Sequence, residues 1–199
     1  MRIYQHRINT IKQLRSVPTN LGVEIDVRSD GDSLVLSHDP FMRDLVLFDD
    51  WLVNYCHNGI IVNIKEEGLE ERILELLTSH SVEDYFFLDQ SFPFLMRTIR
   101  RGELRSAVRV SDFESAETAS NLNLRPDWVW LDSFTGNWHH LSEVKNLVSK
   151  GYKTCLVSPE LQGRNIDEEY DSINDVVRTL GLKLDAVCTK KPEVWMQSP

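Results

Sequence analysis

Two kinds of segment alternate along the whole chain of 199 residues. Short runs rich in β-branched and aromatic residues, typical of buried strands, alternate with segments that show helical periodicity or helix-stop signals. The strand-like runs number eight: RIYQH, GVEIDVR, IIVNIK, YFFLD, SAVRVS, WVWLDS, KTCLVS and LDAVCT. Eight strand–helix units predict an α/β fold, a small single-domain (β/α)8 TIM barrel, with a doubly wound open sheet as the alternative.

The first two connections fit this scheme least well. The segment RINTIKQLRSVPTNL holds at most a short helix, and residues 29–40 are expected to form a loop before the helix-like RDLVLFDDWLVNYCH. No internal repeat, low-complexity tract or linker interrupts the chain. The prediction is therefore one compact domain over residues 1–199.

Composition limits the class of protein and its partners. With 41% apolar and 27% charged residues, the chain reads as an ordinary soluble globular protein. Its net charge of −9 argues against a nucleic-acid partner but permits one small phosphorylated substrate. No apolar run could span a membrane, and MRIYQHRINTIKQL lacks the apolar core of a signal peptide. Three widely spaced cysteines in apolar contexts (Cys56, Cys155, Cys188) favour reduced core thiols, so a cytoplasmic protein is expected.

Two carboxylates interrupt an otherwise apolar strand. In GVEIDV, Glu24 and Asp26 are two residues apart, and alternate side chains of a strand share one face. Buried carboxylates are costly unless a cation or hydrogen-bond donors compensate them. In a barrel, such groups at the carboxyl end of a strand mark the active-site face. The pair therefore predicts a site rather than a packing position.

Further polar side chains fall where other strands end. Carboxylate and amide oxygens select a hard divalent cation, Mg²⁺ or Ca²⁺. Lysine and arginine could neutralise a phosphate, and two histidines could act as general base and general acid. A hard cation, basic residues and a histidine pair together indicate phosphodiester cleavage. The candidate residues are His6, Arg7, Glu24, Asp26, His38, Asn63, Lys65, Asp89 and Arg109.

The pattern resembles the glycerophosphodiester phosphodiesterase family, part of the phosphatidylinositol-phospholipase-C-like superfamily. HR after the first strand, GVEIDV on the second and HDP just beyond it match that family's signature. Weaker likenesses follow in the same order at VNIK, QSF and VCTKKP. The resemblance spans most of the chain and implies a barrel phosphodiesterase.

The resemblance also implies roles for individual residues. His6 and His38 match the two catalytic histidines, and Glu24 and Asp26 match two metal ligands. Arg7 and Lys65 match residues close to the phosphate. These assignments make the expected activity a metal-dependent phosphodiesterase acting on a glycerophosphodiester-like or glycan phosphodiester.

The chain departs from the family pattern at three places. Asn63 stands where the family has a third acidic metal ligand, and Asp89 on the next strand is the alternative source of that charge. Ile8 replaces a glycine, and large substrate-covering insertions are missing. The chain is therefore interpreted as a short, divergent member.

Two other functions stay open at this point. A catalytically impaired barrel that only binds a phosphorylated ligand would suit the loss of the acidic ligand at Asn63. A lyase or aldolase that uses Lys65 as a Schiff base is a third class. Retention of both histidines with Glu24 and Asp26 favours catalysis, because simple binding needs no acid–base pair.

Overall fold

The structure is a computed structural model that describes residues 1–196 of the chain. The chain divides into two compact units. The N-terminal unit is Tyr4–Gly102, and the C-terminal unit is Glu103–Pro199 together with Met1–Ile3. Each unit is described here by itself.

The N-terminal unit alternates strands and helices. Its strands are β1 (Arg2–Gln5, which begins in the other unit), β2 (Gly22–Asp30), β3 (Ser33–Leu36), β4 (Val46–Leu47), β5 (Ile60–Ile64) and β6 (Tyr85–Leu88). Its helices are α1 (Ile11–Ser16), α2 (Phe48–Leu52), α3 (Glu70–Ser79) and α4 (Phe92–Arg100). The first four predicted strands are thus all present, and the first connection holds the short helix that was expected.

Four strands of this unit pair in parallel, in the order β1, β2, β5, β6. Tyr4 lies opposite Gly22, and Asp26 lies opposite Asn63. Every residue of β5 and β6 is buried, as expected for parallel strands covered on both faces. Because parallel strands end at the same edge of a sheet, the residues that follow them meet there.

The second connection differs from the prediction. Residues 29–40 were expected to form a loop, but β2 runs on to Asp30 and turns back as β3, which pairs with it from Val27↔Leu36 to Asp30↔Ser33. The strand β4 then pairs antiparallel with β3, and the long predicted helix shrinks to α2. The sequence does carry a signal for β3, since the mainly apolar SLVL directly follows a Gly-Asp turn, but four residues are too few to identify as a strand.

Tyr4 fixes how closely β1 and β2 approach. A Cβ added to Gly22 would lie 2.4 Å from Cδ1 of the buried Tyr4 ring. Gly59, at a φ of 96°, packs against the Tyr4 hydroxyl in the same way. Two glycines are therefore required around one aromatic ring.

The C-terminal unit repeats the alternation. Its strands are β7 (Ala107–Val110), β8 (Trp128–Leu131), β9 (Lys153–Val157) and β10 (Ala186–Thr189), each parallel to the next. Its helices are α5 (Ala116–Ser120), α6 (Leu141–Ser149), α7 (Ile166–Leu180) and α8 (Pro192–Trp195), with a 3-10 helix at Pro159–Gln162. The last four predicted strands are therefore also present.

Local sequence explains where the longest helix begins and ends. The side chain of Asn165 accepts a hydrogen bond from the Asp167 N–H, and three acidic residues occupy the first turn of α7. Gly181, at a φ of 62°, ends it in the left-handed conformation.

Two smaller expectations concern the cysteines and membrane spans. Cys155 and Cys188 are buried free thiols as predicted, whereas Cys56 is free but exposed, because the helix expected to carry it ends at Leu52. Within residues 1–196, no helix combines the length and apolar character needed to cross a membrane.

Candidate active site

Most of the predicted site residues gather at the carboxyl edge of the N-terminal unit's parallel sheet. His6 and Arg7 follow β1, Glu24 and Asp26 lie on β2, and Lys65 follows β5. Because Asp26 lies opposite Asn63, the side chains of Glu24, Asp26 and Asn63 share one face of neighbouring strands. Glu24 and Asp26 share this face because alternate residues of a strand do, as their spacing in GVEIDV predicts.

Glu24 is fully buried and held from three sides. Its Oε2 accepts a hydrogen bond from the Arg7 main-chain N–H at 2.7 Å, and its Oε1 accepts one from Asn63 Nδ2 at 3.2 Å. Nε2 of His6 lies 3.7 Å from Oε2. The carboxyl group therefore connects the histidine of β1 to the amide of β5.

Burial and the neighbouring Asp26 raise the pKa of Glu24 to about 8. The Arg7 N–H, the Lys65 ammonium and the Asn63 amide act in the opposite direction, but they do not offset burial. In the protein alone, Glu24 is thus predominantly protonated at neutral pH. A cation bound beside it would favour the ionised form.

Asp26 is also buried, but it is surrounded by cations and donors. Nζ of Lys65 lies 3.1 Å from Oδ1, and Nε of Arg7 lies 3.7 Å from Oδ2. Asn9 donates from Nδ2 to Oδ2 at 2.7 Å and accepts from the Asp26 N–H at 2.9 Å. Asp26 thereby holds two basic side chains at the sheet edge.

Arg7 adopts a backbone conformation that is uncommon for a residue with a side chain. Its φ is 58°, in the left-handed region, where a non-glycine residue carries strain. This conformation directs the Arg7 N–H to Glu24 while the guanidinium lies near Asp26. One strained residue therefore contacts both carboxylates.

The β2–β3 hairpin returns the chain to the level of Asp26, and His38 follows at that point. The Ser37 N–H donates to the Asp26 carbonyl at 2.9 Å, and Arg28 donates to the His38 carbonyl at 3.0 Å. Nδ1 of His38 lies 2.8 Å from Asp39 Oδ1, and this contact lowers the pKa of Asp39. The backbone of His38 is thus fixed at the edge that carries His6, with a carboxylate beside its ring.

The third acidic ligand expected from Asp89 does not join the pair on β2. Asp89 is exposed and lines a cavity of about 170 Å³ with Lys65, Glu70 and Gln90. Among residues 1–196, no three His, Cys, Asp or Glu side chains cluster in a way that could hold a metal ion. If a cation binds, the third donor beside Glu24 and Asp26 must therefore be a neutral group.

Asn63 is suited to that role. Its Oδ1 is buried and accepts no hydrogen bond from the described part of the chain, while its Nδ2 is used by Glu24. An unpaired buried acceptor is costly, and a hard cation would satisfy it. Two buried carboxylates and this amide oxygen on one face form a donor set that fits Mg²⁺ or Ca²⁺.

Arg109 belongs to the other unit. Its Nη1 donates to the buried Asp132, and its Nε lies 3.8 Å from Glu114 Oε2. Gln162 donates to Asp132 as well, at 3.0 Å. The guanidinium that was predicted to bind phosphate thus forms ion pairs at the end of β7.

Two residues of the site were missed in the sequence. Asn9 holds both the backbone and the side chain of Asp26, and Arg28 fixes the His38 carbonyl while it pairs with Glu66 at 3.3 Å. The only sequence signal for Asn9 was its place three residues after His6, and that for Arg28 was its place two residues after Asp26. Neither signal separates a supporting residue from a solvated one.

Comparison with known proteins finds a likeness in structure. No protein-family model matches the chain, and no curated protein matches it. The crystal structure of the glycerophosphodiester phosphodiesterase of Thermotoga maritima is similar at a TM-score of 0.74 and 16% identity, over 98% of this chain and 96% of that one. The enzyme of the same name from Agrobacterium tumefaciens is similar at 0.68 and 12%, over 98% and 97%.

A third crystal structure agrees with these two. A glycerophosphoryl diester phosphodiesterase from Parabacteroides distasonis is similar at a TM-score of 0.67 and 13% identity, over 98% of this chain and 85% of that one. At such identities the likeness shows the fold alone. The chain therefore has an α/β barrel fold like that of the glycerophosphodiester phosphodiesterases, on a sequence that is only 12–16% identical to theirs.

Proposed function

We propose that the chain is a metal-dependent phosphodiesterase that cleaves a glycerophosphodiester-like or glycan phosphodiester. The observation that carries the proposal is the set of contacts around Glu24 and Asp26. A histidine lies 3.7 Å from the first carboxylate, and a lysine and an arginine lie within 3.7 Å of the second, all at one sheet edge. The structural likeness to three phosphodiesterases supports this choice of reaction.

The two histidines supply proton transfer. One of them accepts a proton from the attacking hydroxyl, either water or a neighbouring hydroxyl of the substrate, as the new oxygen–phosphorus bond forms. The other donates a proton to the departing alkoxide as the old bond breaks. Each such transfer is typically worth ~10²–10⁴ in rate. His6 acts beside Glu24, and His38 acts beside Asp39, whose carboxylate orients the ring.

Arg7 and Lys65 hold the phosphate. Both are positioned by Asp26, and a guanidinium pairs well with the forked geometry of phosphate oxygens. In the protein these cations stand beside a buried carboxylate, and together they offer positive charge to the single negative charge of a phosphodiester.

Glu24, Asp26 and Asn63 would hold the divalent cation. A bound cation supplies stabilisation of the charge that builds up on the phosphoryl oxygens. It would also favour the ionised form of Glu24, because a neighbouring positive charge opposes the effect of burial on its pKa.

Assays of His6→Ala and His38→Ala test the assignment. A panel of glycerophosphodiesters, lysophospholipids and glycan phosphodiesters is incubated with and without EDTA, and phosphorus NMR identifies each product as a monoester or a cyclic phosphate. We expect metal-dependent turnover that falls about 10²-fold or more in either variant. Full activity in both variants would refute the histidine pair, and full activity in EDTA would refute the cation.

One observation favours a second function. Asn63 places a neutral oxygen where a third carboxylate was expected, and a weakened cation would leave a barrel that binds a phosphorylated ligand without cleaving it. Calorimetric titration with the same panel separates the two functions, because binding without product formation supports the second. A Schiff base at Lys65 has less support, because its ammonium forms an ion pair with Asp26 at 3.1 Å.

A further inference from the structure

The turn that carries Arg7 is held in a strained conformation. Arg7 has a φ of 58°, in the left-handed region that non-glycine residues rarely occupy. Such a conformation persists only where the surrounding structure holds it in place. In this conformation the Arg7 N–H reaches Glu24 and the guanidinium lies beside Asp26. The contacts that hold the turn therefore decide where the guanidinium stands.

The next residue, Ile8, is fixed at both of its backbone polar groups. Its N–H donates to the Glu24 carbonyl at 2.8 Å, and its carbonyl accepts a hydrogen bond from the indole Nε1 of Trp51 at 3.0 Å. Ile8 is 4% exposed and Trp51 is fully buried, so water has little access to this hydrogen bond. Without the indole, the Ile8 carbonyl would be a buried acceptor with no partner, which is costly. The turn would then have to rotate to bring that carbonyl to water.

Asn9 holds the other side of the same turn. Its amide donates to Asp26 Oδ2 at 2.7 Å and accepts from the Asp26 N–H at 2.9 Å. Thr10 then begins α1 with a capping box. Because Ile8 is fixed to Trp51 and Asn9 is fixed to Asp26, the backbone of Arg7 cannot relax without breaking a buried hydrogen bond.

Trp51 reaches the turn from outside the candidate site. It lies on α2, where its ring stacks with Tyr55 at a centroid distance of 5.6 Å and packs beside Phe48 at 6.3 Å. Since the side chain is fully buried, a substrate cannot touch it. Any effect of Trp51 on substrate binding must therefore pass through the turn.

We infer that Trp51 is a positioning residue for phosphate binding. By holding the Ile8 carbonyl, its indole keeps Arg7 in the left-handed conformation and the guanidinium beside Asp26. The inference rests on the proposed function only through the assignment of Arg7 to the phosphate.

The difference in stability between Arg7→Gly and Arg7→Ala measures how firmly the turn is held. Both substitutions remove the guanidinium, but only alanine keeps a Cβ that the left-handed conformation disfavours. Arg7→Gly should therefore unfold at a higher urea concentration than Arg7→Ala. When Trp51→Phe is added to both, this difference should shrink by half or more, because the released turn no longer imposes the left-handed conformation. The effect of glycine on the unfolded chain is common to both backgrounds and cancels.

Tyr55→Phe is the matched control. The Tyr55 hydroxyl accepts from the Gly59 N–H at 2.9 Å, so this substitution also removes one polar atom from the same aromatic stack, but it leaves the Ile8 carbonyl paired. The difference between glycine and alanine at position 7 should keep its original size. If Trp51→Phe does not fold, 3-benzothienylalanine at position 51 provides the same test, because it keeps the bicyclic shape of indole without the N–H.

Phosphate binding tests the functional part of the inference. Titration with inorganic phosphate in EDTA, followed by phosphorus NMR, measures affinity without turnover. Trp51→Phe should bind phosphate about fivefold more weakly, or worse, because the guanidinium is displaced, and Tyr55→Phe should bind like the unchanged chain. In the diester assay, Trp51→Phe should raise KM about tenfold and change kcat by less than about threefold, because it removes phosphate binding rather than proton transfer.

Four results would overturn the inference. They are a glycine–alanine difference that Trp51→Phe leaves unchanged, equal phosphate affinity in Trp51→Phe and the unchanged chain, no phosphate binding by the unchanged chain, and a loss confined to kcat. Phosphate binding that depends on Trp51, in a chain that cleaves no diester, would refute the proposed activity and leave the positioning role standing. The two proposals therefore fail separately.

Discussion

Glu24 lies fully buried beside a second carboxylate, an arrangement that costs stability unless something compensates it. Asp26 is compensated by contacts with Lys65, Arg7 and Asn9. Glu24 accepts two hydrogen bonds and has a histidine at 3.7 Å, and the charge of Lys65 also favours its ionised form, but these do not offset its burial. The two carboxylates of one strand are therefore chemically distinct. Asp26 contacts and positions two cationic side chains, whereas Glu24 changes its charge with pH and with a bound cation.

The pKa of Glu24 makes stability depend on pH. In the metal-free protein this pKa is raised from 4.5 to about 8, so the folded chain keeps a proton that the unfolded chain loses. The contribution of Glu24 to stability is fully present below pH 4.5. It is lost as the pH rises from 4.5 through about 8, and the free energy of unfolding falls by at most about 1.4 kcal/mol per pH unit in that range. Glu24→Gln cannot ionise, so this loss should disappear.

Urea unfolding in EDTA at about pH 5, 7 and 9 measures the effect as the difference between the unchanged chain and Glu24→Gln. The variant should become the more stable of the two as the pH rises. A difference that stays constant across this range would contradict the raised pKa.

Asn63→Asp tests the neutral donor. The substitution keeps the size of the side chain, but it replaces the amide that donates to Glu24 with a second carboxylate at that point. We expect lower stability in EDTA and an affinity for Mg²⁺ or Ca²⁺ that is about tenfold tighter, because ligand charge governs the affinity of such sites. Calorimetric titration and thermal melts measure both.

Asn58→Asp is the control, since Asn58 is exposed in the same unit. It should change neither quantity appreciably. An Asn63→Asp protein that binds the cation no more tightly than the unchanged chain would remove Asn63 from the ligand set.

At the scale of elements, the close packing of β1 on β2 sets where the site residues lie. It places the strand that is followed by His6 and Arg7 beside the strand that carries Glu24 and Asp26. The ring of Tyr4 fills the space that a side chain at Gly22 would need, and it packs edge-on against Phe86 at 5.9 Å. The separation of the two strands therefore depends on one residue without a side chain.

Gly22→Ala should destabilise the fold by about 1–3 kcal/mol, the usual cost of overpacking a core. The new Cβ would lie 2.4 Å from Tyr4 Cδ1 and 2.9 Å from the Asn58 carbonyl, and the buried ring cannot swing into solvent. Thermal or urea unfolding measures the loss, with Ser33→Ala on the exposed start of β3 as the control. Unchanged stability in Gly22→Ala would show that β1 moves away from β2 without cost.

Element by element, the sequence allowed the eight parallel strands and the shared face of Glu24 and Asp26 to be predicted, because both follow from hydrophobic period. It did not allow β3 and β4 to be predicted, because strands of four and two residues are too short to show a period. It also missed Asn9 and Arg28, whose roles arise only when the turn after β1 and the hairpin bring them to Asp26 and His38.

At the scale of the whole molecule, the prediction of a single domain can be tested by unfolding. Four of the five tryptophans, Trp128, Trp130, Trp138 and Trp195, belong to the C-terminal unit. Tryptophan fluorescence therefore reports mainly on that unit, whereas far-UV circular dichroism reports on both. A single domain should give one urea transition with the same midpoint by both methods.

Two separated midpoints would mean that the two units unfold independently and would refute the single domain. The Glu24→Gln and Gly22→Ala variants sharpen the comparison, since both substitutions lie in the N-terminal unit. In a single cooperative domain they shift the fluorescence midpoint as much as the dichroism midpoint.

The β2–β3 hairpin also restricts how such a sequence can diverge. Pairing from Val27↔Leu36 to Asp30↔Ser33 fixes which face each residue of the returning strand presents. An insertion of one residue in a single strand would turn the chain before His38 to the opposite face, whereas one residue added to each strand preserves the phase. In related chains, the number of residues between the acidic pair and this histidine should therefore change by even numbers. This regularity would identify the site even where every residue of the hairpin itself has changed.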